Sequence, residues 1–262
     1  MPEAQLQEHR HGRVLELVMS NPERRNALAP EITNGLARAL RLASDDAAIG
    51  AVVLRGAGEH FCAGGNLKTL AELRASKPRQ ALIERIAAIN ELARALRATA
   101  KPVIAAVEGH AAGAGCSIVL GCDLIVAAEN AVFTLSYVRI GVNADGGGSW
   151  FLARALPPQL ASERALTARP MQAGRLAQHG VVNRIVAPGR AREEALAWAG
   201  EIAQGATAAI GRTKRLLDEA AQHALSQHLE REREGFADGF FGPEGGEGIA
   251  AFLEKRKASF HK

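Results

Sequence analysis

KPVIAAVEGHAAGAGCSIVLGCD, residues 101–123, contains the pattern around which this chain is organised. Residues 102–107 form a short apolar run rich in β-branched side chains, which predicts a buried strand. Residues 109–115 carry almost no side-chain bulk, and residues 116–120 are typical of a buried helix. The first turn of a helix leaves N–H groups without partners, and the helix dipole adds positive potential there. The stretch predicts either an anion site or a glycine turn that only packs a helix on a sheet.

A second stretch repeats this arrangement earlier in the chain. Residues 51–54 are apolar, and residues 55–67 read RGAGEHFCAGGNL. Here too the pattern predicts a strand, a loop of small residues and then a helix. Two such loops are able to place two backbone N–H groups around one oxygen atom, which is the arrangement of an oxyanion hole.

Three motifs carry a resemblance to a known family: FCAGGNL (61–67), GHAAGAGCS (109–117) and CDLIVAAENAVF (122–133). They closely resemble the crotonase (enoyl-CoA hydratase/isomerase) superfamily, and the resemblance continues to GIAAFLEKRKASF (248–260). It implies an α/β fold built as a spiral of ββα units. It also implies an acyl-CoA substrate whose thioester oxygen is held as an enolate by the backbone amides of Gly65 and Ala114. No metal or other cofactor is implied.

The bulk composition excludes several classes of protein. The net charge is only +4, no block of basic residues is present and aromatic residues make up 4% of the 262 residues, so nucleic-acid binding is not expected. Three cysteines in apolar segments predict reduced thiols in a cytoplasmic protein rather than a disulfide framework or a metal site. The first twelve residues lack the apolar segment of a signal peptide, and no run is long enough to span a membrane.

The chain is predicted to divide into a spiral core, residues 1–156, and a helical region, residues 157–262. Apolar runs predict strands over 14–19, 51–54, 102–107, 124–128 and 131–135. Helical spacing predicts helices over 31–43, 67–98 with a break near Pro78, 161–167, 171–178, 190–204, 206–221, 222–236 and 248–258. The stripe formed by Ile83, Ile86, Ile89 and Leu92 is predicted to be core. The resemblance implies that the C-terminal helices assemble a homotrimer or a dimer of trimers.

The resemblance also implies a site for the coenzyme A part of the substrate. Its contacts are expected from Arg25, Ala27, Ala63, Leu67, Phe252 and Lys255. Arg25 is expected near the phosphates and the backbone of Ala27 near the adenine. Residues 252–260 match a segment that closes over coenzyme A, often from a neighbouring subunit. For Arg25 and Lys255 the alternative is a solvated surface charge.

Two positions argue against hydration. Hydratases of this family position a water molecule with two glutamates, and the matching positions here hold Ser117 and Tyr137. A serine and a tyrosine do not hold and deprotonate water as paired carboxylates do. Ser117, Tyr137 and Trp150 are expected to line the acyl pocket instead.

Asp145 is the candidate acid and base. It lies in GVNADGGG (141–148), between an apolar run and three glycines that open a helix. This resembles the GLxPDxGG segment of enoyl-CoA isomerases, and DGGGSWFLAR (145–154) resembles the ring-opening isomerase of phenylacetate degradation. The resemblance implies that Asp145 removes a proton from an enoyl-CoA and returns it two carbons away. Burial is expected to make its carboxyl a usable base. A side chain that caps the following helix is the alternative.

Other readings remain open. A hydrolase or dehalogenase would use Asp145 as a nucleophile, but aryl-CoA dehalogenases have a tryptophan where this chain has Tyr137 and a histidine where it has Asn90. A non-catalytic acyl-CoA-binding scaffold would suit the loss of both glutamates. His60 and His110 lie beside the two loops and are expected to be packing or surface residues.

Overall fold

The computed structural model describes residues 3–76 and 79–261, so the expected break near Pro78 lies outside the described residues. The strands are β1 (Gln5–His11), β2 (Val14–Ser20), β3 (Ala51–Gly56), β4 (Val103–Val107), β5 (His110–Ala112), β6 (Leu124–Ala128), β7 (Val132–Thr134), β8 (Met171–Gln172) and β9 (Arg184–Val186). The helices are α1 (Pro30–Asp45), α2 (Leu67–Ser76), α3 (Arg79–Ala98), α4 (Ala114–Gly121), α5 (Gly148–Ala155), α6 (Pro158–Thr167), α7 (Ala173–Gln178), α8 (Ala191–Ala203), α9 (Thr207–Ala220), α10 (Leu225–Phe241) and α11 (Pro243–Leu253). The α/β class is confirmed.

The strands of the described residues form two sheets. The larger has the order β1-β2-β3-β4-β6-β9, in which β1 is antiparallel to β2 and the other neighbours are parallel. The smaller has the order β5-β7-β8. Because β3 and β4 are parallel neighbours, the loops that follow them leave the same edge of the sheet. This topology brings the two glycine-rich loops together.

The parallel strands read as continuous apolar runs because both faces of the sheet are covered. Val52 and Leu54 of β3 point into the main core with α1 and α3, whereas Ala51 and Val53 point to the opposite face. That second face is packed by α8 through alanines at every fourth position: Ala191, Ala195, Ala199 and Ala203. Four small side chains on one face of a helix allow it to lie close to the sheet.

The predicted core stripe on α3 is only partly correct. Ile89 and Leu92 are buried, but Ile83 is 40% exposed because the N-terminal part of α3 extends beyond the core. The sequence patterns also missed β1, β5 and β8. The predicted helix over 171–178 is wrong in its first two residues, which form β8 and pair with β7.

The predicted helix over 248–258 is also wrong at both ends. It begins earlier, at Pro243, and it stops at Leu253. The N–H of Lys255 donates to the carbonyl of Phe252, and that of Arg256 donates to the carbonyl of Ala251. With Lys255 at a φ of 55° these bonds form a Schellman motif, which usually has glycine at the left-handed position. A lysine there leaves no stop signal in the sequence.

The division at residue 157 stays a prediction, although three elements beyond it belong structurally with the sheets. Both β8 and β9 pair with core strands, and α8 covers one face of the larger sheet. Lys214 of α9, which is 7% exposed, is one of the residues that attach this helix to the core. Its ammonium lies 2.8 Å from the Asp123 carboxylate and donates to the carbonyls of Leu96 and Lys101.

Candidate active site

The two glycine-rich loops lie side by side at the carboxyl edge of β3 and β4. The N–H of Cys62 donates to the carbonyl of His110 at 3.1 Å, and the N–H of Ala112 donates back to the carbonyl of Cys62 at 2.9 Å. On the other side, the N–H of Leu28 donates to the carbonyl of Gly64 at 2.8 Å. The first loop is therefore held between the second loop and the segment that follows β2.

Small residues are required where these loops touch. Gly64 has a φ of 82°, and a Cβ at this position would lie 2.5 Å from the carbonyl oxygen of Ala112 and 3.0 Å from the amide nitrogen of Ala114. A Cβ on Gly115 would lie 2.4 Å from the carbonyl oxygen of Cys62. Side chains at either glycine would push the loops apart.

This approach leaves two backbone donors free beside one another. Ala114 is the first residue of α4, and Gly65 directly follows Gly64. Within residues 3–76 and 79–261, neither amide N–H donates a hydrogen bond to the protein. Both N–H groups can therefore donate to a ligand oxygen, and the first turn of α4 adds positive potential at the same place.

A line of three polar side chains begins on α4 at Ser117, three residues after Ala114 and therefore on the same face of the helix. The Tyr137 hydroxyl donates to Asp145 Oδ1 at 2.7 Å, and it lies 3.0 Å from Ser117 Oγ. Ser117 is fully buried, whereas Tyr137 and Asp145 are half-buried. Burial, and then the neighbouring Asp145 carboxylate, raise the pKa of Tyr137, so its hydroxyl stays protonated and acts as a donor.

The capping alternative for Asp145 is wrong. The helix α5 begins at Gly148 after Gly147, whose φ is 79°, and no side chain among the described residues caps it. A Cβ on Gly148 would lie 2.3 Å from Ser117 Oγ, so the third glycine lets α5 begin against Ser117. The amide oxygen of Asn90 on α3 accepts from the N–H of Gly146 at 3.3 Å. The carboxylate is thus carried by a loop anchored to α3 and α4.

The structure brings most of the expected coenzyme A contacts together. The N–H of Ala63 donates to the carbonyl of exposed Arg25 at 2.9 Å, and Ala27 precedes Leu28, which pairs with Gly65. Leu67 opens α2 and is 60% exposed at the same end of the sheet.

Two of the expected coenzyme A contacts, Phe252 and Lys255, form no hydrogen bond with the other four in a single chain, within its described residues. Phe252 and Lys255 lie at the end of α11, where the Phe252 side chain is 84% exposed. In the part of the chain that the structure describes, no hydrogen bond connects either residue to residues 25–67.

Asn26 is a structural residue of the site that the sequence analysis missed. It is fully buried, accepts from the N–H of Asn21, and donates to the carbonyls of Ala57 and His60 at 2.8 and 2.7 Å. These bonds fix the segment after β2 against the first glycine-rich loop. A lone asparagine beside arginines gives no sequence signal for this role.

Trp150 is turned outward. It is 42% exposed, and the Arg154 guanidinium lies 3.6 Å from its ring centre. The residue of α5 that faces Ser117 is Gly148, two positions earlier, and two helical positions are about 200° apart. The expectation that Trp150 lines the acyl pocket stays a prediction.

The remaining candidates are two histidines and three cysteines, and each is packed against other residues of the protein. The rings of His60 and His110 lie 5.3 Å apart, and burial, followed by the charge of His110, lowers the pKa of His60. Cys62, Cys116 and Cys122 are free and buried, and burial raises the pKa of each thiol to about 12. The described residues contain no cluster of metal-ligating side chains and no helix long and apolar enough to cross a bilayer.

Comparisons with known proteins point to one family. The family model described as enoyl-CoA hydratase/isomerase matches residues 9–262. The chain is 36% identical over 249 residues to a probable enoyl-CoA hydratase of Rhizobium meliloti (strain 1021), with 95% of each chain covered. It is 32% identical over 250 residues to the 1,2-epoxyphenylacetyl-CoA isomerase of Escherichia coli (strain K12), with 94% of each covered. A crystal structure of an enoyl-CoA hydratase from Polaromonas sp. JS666 has 44% identity and a TM-score of 0.95, covering 98% of this chain and all of that one.

Proposed function

Because this chain belongs to the enoyl-CoA hydratase/isomerase family, we propose that it moves the double bond of an enoyl-CoA thioester, with Asp145 as acid and base. The observation that carries the proposal is that hydrogen bonds connect the Asp145 carboxylate to α4, the helix whose first residue supplies one of the two free amides. A tyrosine and a serine stand at the two positions expected to hold hydratase glutamates, and the Asp145 carboxylate is bonded to that tyrosine.

The reaction begins with the thioester oxygen. It accepts hydrogen bonds from the N–H groups of Gly65 and Ala114, which stabilise negative charge better than the neutral carbonyl. Asp145 takes a proton from the carbon next to the thioester of a 3-enoyl-CoA, and the electron pair of that C–H bond enters the conjugated dienolate. Asp145 then gives the proton to the carbon two positions further along, and the electrons return to form the 2-enoyl double bond.

Hydration is the second candidate, because the relative with 36% identity is named a probable enoyl-CoA hydratase. Hydration would require a water molecule activated without paired glutamates. The Tyr137 and Ser117 hydroxyls are 3.0 Å apart and bonded to one another, and neither is a carboxylate that can deprotonate water. Asp145 would have to activate the water alone, which makes isomerisation the better account.

The exposed apolar face of the C-terminal helices supports an assembly. Phe236, Phe241 and Phe252 are each more than two-thirds exposed, and a groove of about 860 Å³ lies between α9, α10 and α11. Apolar surface of this extent is typical of a protein interface. We propose a homotrimer or a dimer of trimers in the cytoplasm, in which Phe252 and Lys255 contact the coenzyme A of a neighbouring subunit. We propose no coenzyme other than the coenzyme A that forms part of the thioester substrate.

The test is product analysis with a small panel of 2-enoyl-, 3-enoyl- and aryl-CoA thioesters incubated in deuterated water. Mass spectrometry distinguishes exchange and double-bond movement from addition of water. Isomerised product without added water supports the proposal, with deuterium present only to the extent that the proton on Asp145 exchanges with the solvent before it is returned. Addition of water as the only reaction contradicts it, and binding without any reaction favours a scaffold.

A further inference from the structure

We infer that Tyr137, oriented by Ser117, is a positioning residue that fixes the Asp145 carboxylate relative to the oxyanion amide of Ala114. This inference rests on the proposed function and assigns Tyr137 and Ser117 a role beyond lining the acyl pocket. The three side chains form a single line of hydrogen bonds that begins on α4 and ends on the base.

The first step concerns the two oxygens of the carboxylate. The Tyr137 hydroxyl is 2.7 Å from Asp145 Oδ1 and 3.3 Å from the main-chain carbonyl of the same residue. Among the described residues, Asp145 Oδ2 accepts no hydrogen bond. A neutral donor on Oδ1 stops the carboxylate from rotating freely and leaves Oδ2 as the oxygen that takes and returns the proton.

The second step concerns the direction of the hydrogen bonds. A phenol has one hydrogen, and Tyr137 gives it to the charged Oδ1 over the shorter distance. Its oxygen therefore accepts from the Ser117 hydroxyl at 3.0 Å, which is shorter than the 3.4 Å contact between Ser117 Oγ and the carbonyl of Gly113. Both donors point towards the carboxylate, so each bond strengthens the next.

The third step concerns the helix that carries the serine. Ser117 lies three positions after Ala114 on α4, and all eight residues of α4 are buried. The N–H of Ser117 donates to the carbonyl of Gly113 at 3.1 Å, and α5 begins against Ser117 through Gly148. One rigid helix thus presents the amide that holds the thioester oxygen and the hydroxyl that orients the base. The distance between base and oxyanion site is set by this helix, which favours a positioning role over a merely structural one.

The experiment compares steady-state isomerisation of a 3-enoyl-CoA by the full chain and by Tyr137→Phe, Ser117→Ala and the double variant. Tyr137→Phe removes only the hydroxyl, so kcat is expected to fall about 10- to 100-fold, with KM changed less than about threefold. Ser117→Ala is expected to lower kcat by about threefold to tenfold. Ser117→Ala should have no further effect when Tyr137 is already phenylalanine, because the serine acts through the tyrosine.

A second readout separates positioning from stability. In deuterated water a carboxylate that rotates freely exchanges its proton before returning it, so Tyr137→Phe should raise the deuterium content of each product molecule above that of the unmodified chain. Ser149→Ala, which removes an exposed hydroxyl from α5, is the matched control and should change neither kcat nor deuterium content.

Unchanged kcat in Tyr137→Phe, or fully additive effects of the two substitutions, would overturn the inference. If Tyr137→Phe does not fold, Ser117→Ala decides: wild-type kcat with wild-type deuterium content would reject the role. Asp145→Asn is measured in parallel. Activity that survives Asp145→Asn rejects the proposed function itself, whereas loss in Asp145→Asn with no effect in Tyr137→Phe rejects only the positioning role.

Discussion

Gly64→Ala should abolish most activity, although it adds a single methyl group. Gly64 has a φ of 82°, where an alanine costs about 1–2 kcal/mol relative to glycine. The new Cβ would also lie 2.5 Å from the carbonyl oxygen of Ala112, a distance that real Cβ atoms do not adopt. Either this loop or the loop that carries Ala114 must move by roughly 1 Å, because a carbon–oxygen contact needs about 3.5 Å.

The chain offers a matched control in the same loop. Gly58 has a φ of 69°, but a Cβ there would meet no atom of the described residues within 4 Å. Gly58→Ala therefore bears the same backbone cost without displacing the amides of Gly65 and Ala114. Loss of one oxyanion donor costs about 10²–10³-fold in kcat, so Gly64→Ala should fall by at least that factor while Gly58→Ala retains most of its activity.

The assay is kcat for double-bond movement in both variants, together with their thermal unfolding midpoints. We expect kcat to be lost only in Gly64→Ala, and its midpoint to lie below that of Gly58→Ala because the clash adds to the shared backbone cost. Equal kcat in the two variants, or equal loss in both, would refute the argument that close approach of the two loops builds the oxyanion site.

Three further predictions concern stability and reactivity. Lys214→Met should destabilise the fold by about 3 kcal/mol, because it leaves the Asp123 carboxylate partly unpaired in a buried site. Chemical unfolding measures the free energy lost, and a loss below about 1 kcal/mol would contradict the prediction. Burial alone would raise the pKa of Glu16, but hydrogen bonds from Arg192, Arg55 and His11 lower it from 4.5 to about 2. The ionised Glu16 carboxylate should therefore stabilise the fold by about 3 kcal/mol above pH 4.5, and this stabilisation should be lost as the pH falls towards 2. The unfolding free energies of wild type and Glu16→Gln should converge over that range. A difference that stays constant with pH would contradict this. The thiols should not react with a thiol reagent at neutral pH until the chain is unfolded in urea, and rapid labelling of the native protein would show that they are accessible. They are Cys62, Cys116 and Cys122.

The central strands could be predicted because burial on both faces gives them a simple apolar sequence pattern. Both faces of β3 and β4 are buried, so their residues form continuous apolar runs. By contrast, β1 reads QLQEHRH and is an exposed edge strand, so its pairing with β2 determines its conformation more than its own composition does. The three residues of β5 lie in a glycine-rich stretch without a strand pattern. They are extended because they pair with β7 and with Cys62 in the loop after β3.

The candidate site was likewise predictable from the sequence only in part. The two glycine-rich loops were visible because close backbone approach demands small residues, which a sequence displays directly. The bond between Tyr137 and Asp145 was not visible. It spans eight residues that pass through a short 3-10 helix, Ser136–Ile140, and a left-handed turn at Gly141, and the direction of the tyrosine follows from its packing beside Ser117 on another element. The roles of Asn26 and Asn90 depend on carbonyl and N–H groups of distant loops in the same manner.

The most direct measurement is the rate of double-bond movement and of deuterium exchange next to the thioester for a 3-enoyl-CoA, compared between the wild-type chain and Asp145→Asn. Asparagine has nearly the same shape but cannot accept the proton, so both rates should fall about 10²–10⁴-fold while binding of the thioester is retained. Exchange and isomerisation that continue at the wild-type rate in Asp145→Asn would contradict the assignment of Asp145 as the acid and base.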